Sequence, residues 1–181
     1  GGKPVLSWAM AVETRDPSLD IQTLAELPMM KGQVRIALRN AGNIDPADIF
    51  DYIAAGGYNG LNKGLFEMEP SAVQEEVAKS GLRGRGGAAF PTATKWRFLM
   101  GSPGPVKYIL GNCEEGDPGA FNDKGILEGD PHTLLEGMIL AGYATGASNG
   151  IVFIRHGHDP PIDRTRKAIA QAYANNLLGN D

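Results

Sequence analysis

Three glycines within four positions, two arginines, a lysine and two aromatic rings share residues 80–96, which read SGLRGRGGAAFPTATKW. Without a Cβ, Gly84, Gly86 and Gly87 let backbone N–H groups approach an anion or a flat ring, and they permit the positive φ of an anion-cradling nest. Arg83, Arg85 and Lys95 add positive charge, and Phe90 and Trp96 offer faces for an aromatic ring. The combination suits a flat, phosphorylated ligand. A mobile glycine-rich surface loop is the competing account of the same residues.

A second polar segment, residues 111–123 (GNCEEGDPGAFND), directly follows the apolar run VKYIL at 106–110. That run is short, partly β-branched or aromatic and ended by turn residues, which predicts a buried parallel strand. Polar groups at the carboxyl end of such a strand stand where open α/β sheets bind ligands. Asn112 can hydrogen-bond a heterocycle edge, and Glu114, Glu115 and Asp117 can accept from ribose hydroxyls. An acidic turn capping the next helix accounts for the carboxylates nearly as well.

Two familiar phosphate motifs fail on context. Gly84-x-Gly86-x-x-Ala89 fits a relaxed dinucleotide fingerprint, but that fingerprint follows a strand. Here the preceding residues 70–79 (PSAVQEEVAK) predict a helix, with proline at its start and acids in its early turns. The Gly-Lys-Ser/Thr ending of a Walker loop is absent.

Taken together, the two segments resemble the flavin-binding subunit of the NADH-oxidising module of respiratory complex I, with relatives in NAD-linked hydrogenases, formate dehydrogenases and electron-bifurcating complexes. The resemblance rests on five ordered stretches: 80–96, 112–121, ILEGDPH at 126–132, LLEGMILAGY at 134–143 and GIVFIR at 150–155. It covers about half the chain and implies an amino-terminal part of the subunit only. The wording GDPGAF at 116–121 is closer to the soluble hydrogenase and bifurcating branches.

The resemblance implies an NADH dehydrogenase: hydride passes from nicotinamide C4 to N5 of bound FMN, and electrons leave singly to iron–sulfur centres of a multisubunit oxidoreductase. Gly84, Arg85, Gly86 and Gly87 would then line the FMN, Lys95 and Asn112 would contact its polar edges, and Glu114 and Glu115 would complete the site. Glu114 takes the place of an aspartate in many relatives. Phe90 and Phe98 would sandwich the NADH adenine, and Asp117, replacing a more common glutamate, would contact the adenosine ribose. The implied partners are iron–sulfur protein subunits. The family's second glycine-rich flavin segment, its β-rich domain and its four-cysteine [4Fe–4S] site have no counterpart in this sequence, whose single cysteine cannot hold a cluster. From that shortness comes an alternative in another class, a flavin-free scaffold or interaction subunit that keeps the fold. An unrelated nucleotide-binding enzyme would require the five ordered matches to be coincidence.

To position these residues the chain needs an α/β, Rossmann-like parallel sheet. The predicted order is β (106–111), α (131–147), β (150–155), α (161–177), which implies a three-layer sheet. A helical region precedes it over 31–80, with helices from about 44, at 58–67 and at 70–79, and a strand-like alternation at 34–38. Residues 1–30, punctuated by Pro4, Pro17 and Pro28, predict an extended arm or linker; 81–181 is expected to be the amino-terminal part of the FMN/NADH-binding domain. A net charge of −4 with only local arginine clustering gives no reason to expect nucleic acid. No run reaches the ~20 apolar residues that span a bilayer, and no secretory signal opens the chain, so a cytoplasmic setting is expected, with any membrane attachment made through partners. His156 and His158 lack further ligands and are not expected to bind metal; Cys113 is expected to be a small buried filler.

Overall fold

The computed structural model describes residues 26–179. The predicted arm therefore lies outside the described residues up to position 25; from its end, Pro28–Met30 form one 3-10 turn. Seven α-helices and two strands follow among the described residues: α1 (Ile49–Ala54), α2 (Asn59–Glu67), α3 (Pro70–Lys79), α4 (Thr92–Gly101), β1 (Tyr108–Cys113), α5 (Asp123–Gly129), α6 (Pro131–Thr145), β2 (Asn149–Ile154) and α7 (Asp159–Ala174).

Local chemistry sets most of these boundaries. Asp48 caps α1 by accepting from Phe50 N at 2.9 Å. Pro70 and Pro131 begin α3 and α6 at positions whose N–H would have no helical partner. Asp130 caps α6 through Thr133 N at 3.3 Å, and α6 ends where Gly146 enters the left-handed region at φ 74°.

The two strands pair in parallel, with Tyr108 opposite Asn149 and Cys113 opposite Ile154. The connection between them passes through α5 and α6, and α6 lies on one face of the sheet. Gly111 makes that approach possible, since a Cβ there would sit 2.8 Å from the Met138 sulfur. Leu135 of α6 packs with Ala168 and Ala172 of α7. A second cluster of Ile49, Tyr52, Tyr58 and Leu61 closes against Ile139, Leu140 and Leu177, which ties α1 and α2 directly to α6.

Two expectations differ from the structure. Residues 34–38 form no strand, running from irregular backbone at 34–35 into a bend and turn at 36–38, with Val34 and Ile36 about four-fifths exposed at 83% and 78%. Alternation alone does not make a strand without a partner edge, and here Arg39 N and Ala41 N bond back to Ile36 O and Leu38 O instead. Nor is the described sheet covered on both faces. Tyr108, Leu110, Ile151 and Phe153 are exposed on the side away from α6, so the described architecture has two layers at this point.

Candidate functional site

The glycine segment is a loop pinned at its neck. Gly84 N donates to Phe90 O at 2.9 Å, Thr92 N donates to Leu82 O at 3.0 Å, and Arg83 and Pro91 form an isolated antiparallel bridge. The Arg83 guanidinium adds a bond to Ala89 O at 3.1 Å. Within this closure the backbone takes two left-handed turns, at Gly87 (φ 103°) and at Ala89 (φ 49°), the latter a conformation alanine rarely adopts. Backbone strain of this kind concentrates where a ligand or a switch requires it.

The space beside the loop is open. A Cβ built on Gly86 or Gly87 would meet no atom within 4 Å, so packing inside the chain does not explain their lack of a side chain. At Gly84 the nearest atom to such a Cβ would be Lys95 Nζ, at 3.4 Å. Pro91 leads into α4, which carries Lys95 one turn in and swings its ammonium back over the loop. No carboxylate among the described residues pairs with that ammonium. Arg85 is likewise exposed.

Phe98 lies three residues beyond Lys95, on the same face of α4. Its ring centroid is 6.4 Å from that of Phe90, with the planes tilted by 42°. Both rings are exposed, at 43% for Phe90 and 65% for Phe98. A flat ring inserted between them needs about 7 Å, two contact distances of about 3.5 Å, so the pair must part slightly to admit one.

The second set sits where β1 and β2 end. Glu114 and Arg155 are the residues immediately beyond the last register pair, and Arg155 Nη1 donates to Glu114 Oε1 at 3.1 Å. Glu114 N in turn donates to Asn112 Oδ1 at 3.1 Å, which leaves the Asn112 amide NH2 as its outward donor. Asp117 is exposed in the turn that follows. No hydrogen bond or ion pair joins this set to the glycine loop among the described residues.

Glu115 has a definite structural position. It is buried, with 8% exposure, and its carboxylate receives Asn122 N, Asp123 N at 3.0 Å and Lys124 N at 3.0 Å. It therefore caps the first turn of α5 from outside the helix. Burial pushes its pKa up, but the three backbone N–H groups outweigh that and hold the carboxyl below its ordinary value. Cys113 is buried beside it, and burial, followed by the charges of Asp123 and Glu115, pushes the thiol up to about 11, so it stays protonated. Among the described residues no cluster of His, Cys, Asp and Glu is arranged to hold a metal, His156 and His158 included.

Sequence reasoning missed a buried polar network that joins α1, α2, α6 and α7. Glu136 on α6 accepts from Tyr52 Oη at 2.5 Å, from Tyr58 N at 2.9 Å and from Leu61 N at 2.9 Å. It caps α2, whose N-cap Tyr58 is in the left-handed region at φ 61° and has no side-chain cap of its own. His132 bonds Tyr58 Oη through Nδ1 at 2.8 Å and Gln171 Oε1 through Nε2 at 3.1 Å. Gln171 Nε2 donates to Ala47 O, so its oxygen is the acceptor and His132 Nε2 carries the proton. The one available signal was helical spacing, which puts His132 and Glu136 four residues apart on one face of α6.

Polar groups at the carboxyl ends of parallel strands are characteristic of the α/β domains that bind nucleotides and flavins. The match is more specific than that class. Residues 77–178 fit the model of the Nuo51 FMN-binding domain, and the chain belongs to that family.

It is 50% identical over 151 residues to the NADP-reducing hydrogenase subunit HndC of Solidesulfovibrio fructosivorans, covering 83% of this chain and 30% of the relative. It is 44% identical over 144 residues to an F-type NADH-quinone oxidoreductase subunit of Rhizobium meliloti, covering 80% of this chain and 34% of that protein. A solved NAD+-reducing [NiFe]-hydrogenase in the air-oxidized state superposes with a TM-score of 0.57 at 38% identity, over 61% of this chain and 19% of the other. The chain thus spans about a third of the length of the curated relatives it matches.

Proposed function

We propose that this chain supplies part of the FMN and NADH site of a flavoprotein subunit that oxidises NADH and feeds electrons to iron–sulfur partners in a larger complex. The observation that carries this reading is the glycine loop: Gly86 and Gly87 border open space, and the Lys95 ammonium stands over Gly84 without an acidic partner among the described residues. When bound, FMN supplies the chemistry, converting the two-electron donor NADH into one-electron steps.

The chain's own residues bind and orient. Gly84, Arg85, Gly86 and Gly87 present backbone and charge to the flavin, Lys95 places positive charge at its polar edge, and Asn112 donates from the strand end. Glu114 accepts hydroxyl groups with the oxygen that Arg155 does not engage. Glu115 fixes the course of the turn between Asn112 and α5 and so holds Asp117 in place. Phe90 and Phe98 take the adenine, and Asp117 the adenosine ribose.

The test is the optical spectrum of the intact assembly, which should show bound flavin that NADH bleaches anaerobically. An assembly without flavin would favour the scaffold reading. A second reading, that the nucleotide is NADP(H), is favoured by the name of the relative at 50% identity. Comparing NADH with NADPH as the bleaching reductant separates the two.

A further inference from the structure

Arg155 follows β2 directly, and its Nη1 crosses the strand ends to reach Glu114 Oε1 at 3.1 Å. The crossing runs over Gly116. A Cβ on that glycine would overlap Arg155 Nη1 and would stand 3.0 and 3.1 Å from the two Glu114 carboxylate oxygens. The backbone is therefore bare where the ion pair lies on it. Glu114 is held from two sides, by its own N–H on Asn112 Oδ1 and by Arg155 on Oε1, while Oε2 has no protein partner among the described residues.

We infer that Arg155 is a positioning residue of the flavin site: it fixes the Glu114 carboxylate in one rotamer so that Oε2 is presented to a ligand hydroxyl, and Gly116 is bare to let it do so. The inference rests on the proposed flavin function. A glutamate reaching solvent from a strand end has three rotatable bonds, and ordering it at the moment of binding costs affinity that a prior anchor avoids. The side chains of the pair are 45% and 35% exposed, so water and salt screen the attraction. The gain is accordingly modest. Exposed ion pairs of this kind correspond to about a two- to fivefold change in an equilibrium constant.

The experiment is a double-mutant cycle on the intact assembly, stripped of flavin and titrated with FMN by fluorescence quenching. Arg155→Gln should weaken FMN binding about two- to fivefold, with Arg155→Lys between it and wild type. In a Glu114→Gln background the same Arg155→Gln change should have no further effect. Gly116→Ala, whose Cβ would displace the flexible end of Arg155 and also crowd both Glu114 carboxylate oxygens, should weaken FMN binding at least as much as Arg155→Gln.

Additive effects of Arg155→Gln and Glu114→Gln would overturn the inference, because Arg155 would then touch the ligand itself. A lowered melting temperature with unchanged FMN affinity would also overturn it, as a merely structural tie between strands behaves that way. Failure of the wild-type assembly to take up FMN at all would refute the flavin reading instead, and is distinguishable because it precedes any variant.

Discussion

Glu115 offers the most direct test of how the turn beside the candidate site is held. Its carboxylate accepts three consecutive backbone N–H groups at the start of α5, two of them at 3.0 Å, from a position with 8% exposure. Hydrogen bonds to a charged group contribute about 1.5–3 kcal/mol each, and loss of an N-cap typically costs about 1 kcal/mol. Asn122 is exposed and Asp123 and Lys124 are half-buried, so water recovers part of what is lost. Glu115→Ala should therefore destabilise the chain by about 2–3 kcal/mol, and Glu115→Gln, whose amide oxygen keeps some of the bonds, by about 1 kcal/mol.

The sign of the pH dependence follows from the depressed pKa. The folded carboxyl is below its ordinary value, so its stabilisation is present above the unfolded value of about 4.3 and is lost as pH falls through the folded one. Urea unfolding of wild type and Glu115→Gln at pH 7 and at successively lower pH reads this directly. The gap between them should narrow as the pH drops below about 4. A gap absent at pH 7, or one that stays constant down to acid, would refute the charged-cap account.

His132 should impose an opposite demand for a neutral ring. Burial, only partly offset by Gln171, Asp130 and Asp48, lowers its pKa, so the unfolded chain takes up a proton that the folded chain resists. Stability should fall as pH drops below about 6.5, and His132→Gln should flatten that slope in unfolding curves between pH 7 and 5. Lys95→Met in the intact assembly should weaken FMN retention or lower the flavin potential, since a charge-assisted bond of about 1.5–3 kcal/mol is removed; unchanged content and potential would dismiss Lys95 from the site. Asp117→Asn should raise NADPH activity relative to NADH, because a 2′-phosphate about 4 Å from a carboxylate is repelled by roughly 4 kcal/mol at an effective dielectric near 20 before solvent relaxation. The ratio of kcat/KM for the two nucleotides reads this effect, and an unmoved ratio excludes Asp117 from the adenosine contact.

The parallel β1–α6–β2 unit was legible in the sequence because its signals are local. The apolar run ending at Leu110 and the proline that opens α6 each act within one turn of the chain, whereas the helix expected to reach 147 stops earlier, at Thr145, where Gly146 enters the left-handed region. Helix α3 was read to the residue for the same reason. The strand expected at 34–38 was not formed, because a strand depends on a neighbour that alternation cannot supply. The capping role of Glu115 was open as one of two alternatives, and only the geometry shows the carboxylate bonded to α5. Long-range partners left no trace at all. Glu136 reaches Tyr58 across 78 residues, and Arg155 reaches Glu114 across 41, and neither pairing has a spacing that sequence could reveal.

The central claim is that Gly86 is bare for a ligand and not for the fold, and Gly86→Val separates the two. A Cβ there meets nothing within 4 Å, so the variant should unfold at the same urea concentration as wild type. FMN titration of the intact assembly should nevertheless show binding abolished or weakened by more than about a hundredfold, because a β-branched side chain then stands where the flavin lies, at a cost of about 3 kcal/mol or more. Wild-type FMN affinity in a folded Gly86→Val assembly would contradict the placement of the flavin in this loop.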